Sequence, residues 1–155
     1  MTTTVAAIAL FVATVGTANV HDTPALHPTG ATVELGRTVG RLDETVNAVS
    51  INHNGWRATA AGQGNRNDRT AEGTTYMYSL QREFRPIETP WRPVVGIGPA
   101  YVDNSPFVGR VNYALSAGIE WRGHMGLTYT HYSNAGMTSP NTGLDSVRLW
   151  MMVEF

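Results

Sequence analysis

Apolar and polar residues alternate along most of the chain after residue 30, in short runs that turn residues separate. None of these runs repeats with the period of an amphipathic helix, whereas alternation is typical of strands with two different faces. Asn54-Gly55 is a strong hairpin signal, and long polar loops are expected at 62–73 and 134–142. The pattern predicts eight strands, at 31–40, 44–52, 55–62, 74–85, 92–102, 107–121, 125–133 and 143–155.

The last predicted strand shows the two faces most clearly. Its odd positions are apolar from Val147 to Phe155, whereas its even positions include Arg148 and Glu154. A soluble barrel would bury the apolar face, and a transmembrane barrel would turn it toward lipid. Pairable charges on the polar face, strands long enough to cross at a tilt, and the terminal aromatic residue favour the membrane form, although Arg82 on an apolar face counts against it. We therefore predict an all-β fold, an eight-stranded antiparallel up-and-down β-barrel that is transmembrane.

Length and composition limit the classes of protein that remain. The 155 residues suit one barrel domain, 19–155, and residues 1–18 are expected to be a signal peptide or an N-terminal apolar segment. Val5 to Val15 has the length of a signal-peptide core, but no lysine or arginine precedes it. A net charge of −1 with 15% charged residues offers no basic surface for nucleic acid. Cysteine is absent and the five histidines lack spaced metal partners, so no metal and no other cofactor is expected.

The candidate chemistry lies near the end of the chain. His131 and Ser133 are two residues apart on a predicted strand, so both side chains project to one face, with Cα atoms roughly 6.5–7 Å apart. A histidine beside a serine is the base and nucleophile pair of a serine esterase. If the following loop turns near residues 138–140, the position opposite Ser133 is close to Asp145. The carboxylate of Asp145 could then reach the far nitrogen of His131 and orient the imidazole.

Other residues of the loop supply candidate donors to the oxyanion that forms when an ester is attacked. These are Asn141 and the backbone N–H groups of the Ala135-Gly136 turn. Each polar residue taken alone also fits a strand end or a turn that meets water. The shared face of three functional groups on two neighbouring strands is the observation that favours catalysis. Because short turns lie inside and long loops outside in such barrels, this face is expected at the level of the outer leaflet's headgroups.

The end of the chain resembles the signature of the outer-membrane lipid A 3-O-deacylase family. The matching residues are His131, Ser133, Asn134, Ala135, Gly136, Asn141, Gly143, an acid at Asp145 and the terminal Phe155. The resemblance is tight over residues 118–155 and rests on strand number and pattern upstream. It implies a lipid-facing serine esterase that hydrolyses the 3-O-linked hydroxyacyl ester of lipid A. The implied roles are Ser133 as nucleophile, His131 as base, Asp145 as acid, Asn141 and Gly136 as oxyanion hole, and Asn134 and Ala135 as supporting motif.

Two features depart from the family pattern. The acid is commonly glutamate, and because Asp145 is one methylene shorter, the third member of the triad is expected to be displaced or partly solvated. The leader carries no positive charge before its apolar stretch, which bears on secretion rather than on chemistry.

The resemblance also implies partners and a location. The substrate is lipid A or lipopolysaccharide, the surroundings are outer-membrane lipid, and a homodimer is compatible with the pattern. The uncharged leader keeps open a non-enzymatic small barrel with a structural or binding role, in a membrane or a phage particle. A soluble lipocalin-like barrel is a third hypothesis, and it requires Leu149 and Met151 to lie inside the barrel.

Overall fold

The computed structural model of the chain describes residues 29–39, 44–65, 73–86 and 89–155. The strands are β1 (Gly30–Val39), β2 (Thr45–His53), β3 (Trp56–Asn65), β4 (Gly73–Phe84), β5 (Trp91–Asp103), β6 (Val111–Trp121), β7 (Met125–Ser133) and β8 (Leu144–Glu154). Each strand pairs antiparallel with the next, and β8 pairs with β1, so the sheet closes. The predicted eight-stranded up-and-down barrel is confirmed.

The leader predicted at residues 1–18 lies outside the described residues, so its cleavage stays a prediction. Within the described ranges, no helix has the length and apolar character needed to cross a membrane.

The two faces of the sheet are inverted relative to a soluble barrel. On β1 the outward residues are apolar, with Val33 62% exposed, whereas the inward residues Thr32 and Glu34 are fully buried. On β8 the outward residues Leu149 and Met151 are 57% and 61% exposed, which contradicts the lipocalin-like alternative. Since an exposed apolar belt around a polar interior is stable only in lipid, the alternation supports a membrane-spanning barrel.

The interior has two halves of different character. Nearer the short turns, a chain of ion pairs crosses the barrel with N···O distances such as 3.0 Å for Arg148–Glu34 and 3.2 Å for Arg57–Glu83. The ion pairs link the following side chains in order: Arg148, Glu34, Arg57, Glu83, Arg85, Glu120 and Arg92. Nearer the long loops, the interior holds, beside buried polar side chains, a cluster of apolar ones: Val46, Ala48, Ala61, Met77, Ala100, Val102, Val108, Ala114, Tyr132 and Leu144.

Strand boundaries differ from the predicted ones mainly at the long-loop end. β6 begins at Val111 instead of residue 107, because Val108 turns into the apolar interior and forms a bridge with Asn141 of the neighbouring loop. β3 runs further than its apolar pattern indicated and β4 is shifted by one residue, since backbone pairing continues to Asn65 opposite Gly73.

The arginine that counted against a membrane barrel has a local explanation. Arg82 points outward near the short turns, where its guanidinium donates to the carbonyl oxygen of Asn54 and lies over the Trp56 ring, 5.6 Å from the centroid. An arginine at this level can keep its charge near the membrane surface while its stem contacts an aromatic ring.

Aromatic side chains form two outward belts. Trp56, Trp91 and Trp121 lie at the short-turn end, and the rings of Trp91 and Trp121 are 6.2 Å apart. Tyr76 lies at the long-loop end, whereas Tyr78 and Tyr129 lie nearer the middle of their strands. Tryptophan and tyrosine at these two levels are typical of membrane–water interfaces.

Candidate active site

The pairing of β7 with β8 brings the predicted acid and base together. Asp145 lies directly opposite His131, two residues from the register that the loop length suggested, in which Asp145 was expected near Ser133. Directly opposed residues of an antiparallel pair have Cβ atoms about 4.5–5.5 Å apart, so a short side chain is enough to close a hydrogen bond. The register therefore places the short side chain of Asp145 within hydrogen-bond reach of His131.

The contact between acid and base is close. His131 Nδ1 lies 2.6 Å from Asp145 Oδ1, and since an ionised carboxylate only accepts, Nδ1 is the nitrogen that carries the proton. Nε2 is then the basic nitrogen. The two side chains are 35% and 31% exposed, and the contact between them shows no displacement of the acid from the base.

Ser133 shares the outward face with His131, but its hydroxyl is engaged elsewhere. Ser133 Oγ donates to Asn141 Oδ1 over 3.2 Å and accepts from the backbone N–H of Ala135, also over 3.2 Å. Over the ranges that the structure describes, no hydrogen bond joins Ser133 to His131. Bonds between nucleophile and base often tighten only when substrate is bound, so this geometry leaves Ser133 a candidate nucleophile.

The loop after β7 is held by Asn134, which is fully buried. Its side-chain amide donates to the carbonyl oxygen of Thr138 over 2.8 Å and to the Thr138 hydroxyl over 2.7 Å, while its Oδ1 accepts from the N–H of Gly136 over 3.0 Å. Ala135 and Gly136 both have positive φ, 53° and 80°, which bends the chain away from the strand. Asn134 thus supports the loop through its hydrogen bonds, and its supporting place in the motif stays a prediction.

A second loop fixes the position of Asn141. Val108 forms a bridge with Asn141, and the N–H of Thr142 donates to the carbonyl oxygen of Phe107 over 2.9 Å. The segment 107–108 therefore supports the site from a loop, whereas the sequence pattern predicted it as the start of strand β6.

The two predicted oxyanion donors differ in availability. Asn141 Oδ1 accepts two hydrogen bonds, whereas its Nδ2 donates none within the described part of the chain, so this amide is available to a substrate. The N–H of Gly136 already donates to Asn134 Oδ1, so it can serve an oxyanion only if that bond is exchanged. Asn141 is the better placed of the two.

Two further residues contact the triad candidates, although the sequence assigned neither of them a role at the site. The Tyr129 hydroxyl donates to Asp145 Oδ1 over 2.6 Å. Gly143, with φ of 79°, lies beneath the imidazole, and a Cβ added there would be 2.9 Å from His131 Cε1. Parity could have indicated Tyr129, because it belongs to the same outward set on β7. No group of three or more metal-ligating side chains occurs in the described ranges.

Comparison with known proteins gives the following similarities. A family model described as "Lipid A 3-O-deacylase (PagL)" matches residues 29–153. The structure is similar to the crystal structure of the outer membrane enzyme PagL, with a TM-score of 0.57 and 18% identity, over 81% of this chain and 99% of that one. It also matches a de novo designed protein, TMB2.3, with a TM-score of 0.49 and 13% identity, over 83% and 97%. No curated protein matches the sequence.

Proposed function

Because the chain belongs to the lipid A 3-O-deacylase (PagL) family, we propose that it is a serine esterase that hydrolyses the 3-O-linked hydroxyacyl ester of lipid A. The observation that carries the proposal is the outward contact between His131 and Asp145, with Ser133 two residues away on the same face. A buried triad would suit a soluble substrate, whereas a triad on the apolar surface of a barrel suits an ester already held in lipid.

The proposed reaction begins with Ser133. Its Oγ attacks the ester carbonyl while His131 Nε2 takes the hydroxyl proton, and Asp145 stabilises the imidazolium that forms. The carbonyl π electrons move to oxygen, and Asn141 Nδ2 donates to the resulting oxyanion. To reach Nε2, the Ser133 hydroxyl must exchange its bond to Asn141 Oδ1 for one to His131.

Collapse of the intermediate breaks the ester bond. The electron pair returns to the carbonyl, the sugar 3-oxygen leaves, and His131 gives it the proton taken from Ser133. A water molecule then attacks the acyl-enzyme, with His131 again as base, and releases the hydroxy fatty acid and free Ser133. No step needs a metal or a cofactor.

The location follows from the same face. The family and its structural neighbour are outer-membrane proteins, and the triad candidates lie at the long-loop end of the barrel, so we propose that they work at the headgroup level of the outer leaflet. Lipid A resides in that leaflet, so the enzyme would not need to extract its substrate. A homodimer stays a prediction.

The test compares lipid A from cells that express the wild type or Ser133→Ala, analysed by mass spectrometry. Loss of one hydroxyacyl group with the wild type alone is expected. Thr45→Ala, at an exposed position at the start of β2, serves as a surface control that keeps activity. Equal loss of the acyl group with Ser133→Ala, in a barrel that circular dichroism shows to be folded, would refute the serine mechanism. Unmodified lipid A with the folded wild type would instead favour the non-enzymatic barrel.

A further inference from the structure

The carboxylate of Asp145 accepts two short hydrogen bonds at one oxygen. Tyr129 Oη and His131 Nδ1 each lie 2.6 Å from Asp145 Oδ1. Tyr129 precedes His131 by two residues on β7, so the phenol and the imidazole stand side by side on the outward face. The acid is therefore held from two neighbouring positions of the same strand.

The hydrogen bond from Tyr129 affects the position of Asp145 because this carboxylate lies on an open surface. About a third of its side chain is exposed, at 31%, and its other oxygen has no hydrogen bond within the described ranges. A carboxylate in that setting can rotate toward water or toward polar headgroups and leave the imidazole. The phenol offsets this tendency, since a hydrogen bond to a charged acceptor is stronger than one between neutral groups.

Building on the proposed esterase function, we propose that Tyr129 is a positioning residue that holds Asp145 in place so that the acid orients His131. Tyr129 acts through Asp145 and does not itself touch the reacting ester. Tyr129 would be the fourth member of a hydrogen-bonded series that runs Ser133, His131, Asp145 and Tyr129. The phenol fixes the carboxylate, the carboxylate fixes the imidazole tautomer, and the imidazole activates the hydroxyl.

Two other roles for the Tyr129 phenol predict different results when the residue is substituted. If Tyr129 bound the lipid A headgroup, its loss would raise KM and leave the reactivity of Ser133 toward small reagents unchanged. If Tyr129 were only an interfacial aromatic residue, Phe would replace it without effect, since the ring stays.

The experiment uses the full chain in detergent micelles, with two readouts. One is kcat and KM on lipid A, and the other is the rate at which a small fluorophosphonate labels Ser133. Tyr129→Phe is expected to lower kcat and the labelling rate by about tenfold, the size that loss of one hydrogen bond to a charged group produces, with KM unchanged. Tyr101→Phe is the matched control, because Tyr101 is also outward and is 41% exposed against 42% for Tyr129. It is expected to behave as wild type.

A double-mutant cycle with Asp145→Ala separates an action through the acid from an independent one. Tyr129→Phe should have no further effect on the labelling rate once Asp145 is absent. An equal loss in both backgrounds, a change confined to KM, or wild-type labelling by Tyr129→Phe alone would overturn the proposal. If Asp145→Ala labels too slowly to measure, the single variant decides.

Failure of this inference can be told apart from failure of the proposed function. If the wild type releases no hydroxy fatty acid, or if Ser133→Ala is as active as wild type, the esterase assignment is wrong. If Ser133 is required and the cycle shows no coupling, only the role of Tyr129 is wrong.

Discussion

Gly143 offers the sharpest test of the position of the base, because its missing side chain makes room for the imidazole. A Cβ at this residue would lie 2.9 Å from His131 Cε1, 3.6 Å from Nδ1 and 3.8 Å from Nε2. Ordinary contact begins at 3.4 Å, so in Gly143→Ala the ring must move by about 0.5 Å. Such a movement would change the 2.6 Å contact between the imidazole and Asp145.

The expected losses can be estimated separately for activity and for stability. A misplacement of about 1 Å can cost roughly 10²-fold in rate, so a shift of half that size is expected to lower kcat about tenfold. The backbone also matters, since Gly143 has φ of 79° and an L-residue in the left-handed region costs roughly 1–2 kcal/mol. A control variant must therefore show how much of any loss of activity comes from lost stability.

Gly123→Ala supplies that control. Gly123 has the same φ of 79° and lies in the turn between β6 and β7, at the other end of the barrel. Both variants are expected to lose a similar free energy of unfolding, measured by urea titration in lipid vesicles, whereas only Gly143→Ala should lose kcat on lipid A. Wild-type kcat in Gly143→Ala, or an equal fall in Gly123→Ala, would refute the proposed position of the base.

Two further predictions concern the oxyanion donor and the interior. Asn141→Ala is expected to lower kcat by roughly 10²–10³-fold, as loss of one oxyanion donor does. Asn141→Asp, which keeps the acceptor oxygen but has no N–H, should be as slow; near-wild-type kcat in either variant would remove Asn141 from the oxyanion hole. Arg57→Met leaves Glu34 and Glu83 without one of their cations, and is expected to lower the free energy of unfolding by about 3–5 kcal/mol. An unchanged urea midpoint would show that the interior ion chain does not depend on Arg57.

Much of the fold could be predicted because the strands of a membrane barrel have a simple alternating pattern of apolar and polar residues. Every strand has one face in lipid and one face inside, so the alternation specifies strand number, parity and the direction of each side chain. That is why His131, Ser133 and Asp145 could be assigned to one outward face before any pairing was known. The same pattern placed Leu149 and Met151 in one set, and the structure turns that set outward.

Pairing register was less accessible, because it depends on contacts far apart in the chain. The length of the loop after Ser133 suggested that Asp145 lies near Ser133, but the loop is anchored to residues 107–108, and the register places Asp145 opposite His131. The contacts of Phe107 and Val108 could not be predicted from periodicity, because the alternation of residues 107–121 predicted a continuous strand there. The hydrogen bond from Tyr129 was missed for a related reason: an outward tyrosine on a membrane barrel is already explained by the interface.

The division of the interior into an ionic half and an apolar half has a consequence for permeability. Side chains such as Met77, Tyr132 and Leu144 close the end of the barrel nearest the site, and the ion-pair chain fills the other end. The interior of an eight-stranded barrel is just wide enough for side chains to fill, so a lumen filled in this way is a poor path for solutes or water. In the proposed mechanism, the water that releases the acyl-enzyme would come from the hydrated surface outside the membrane. The site would have to lie close to that surface, while the acyl chains of the substrate remain in lipid.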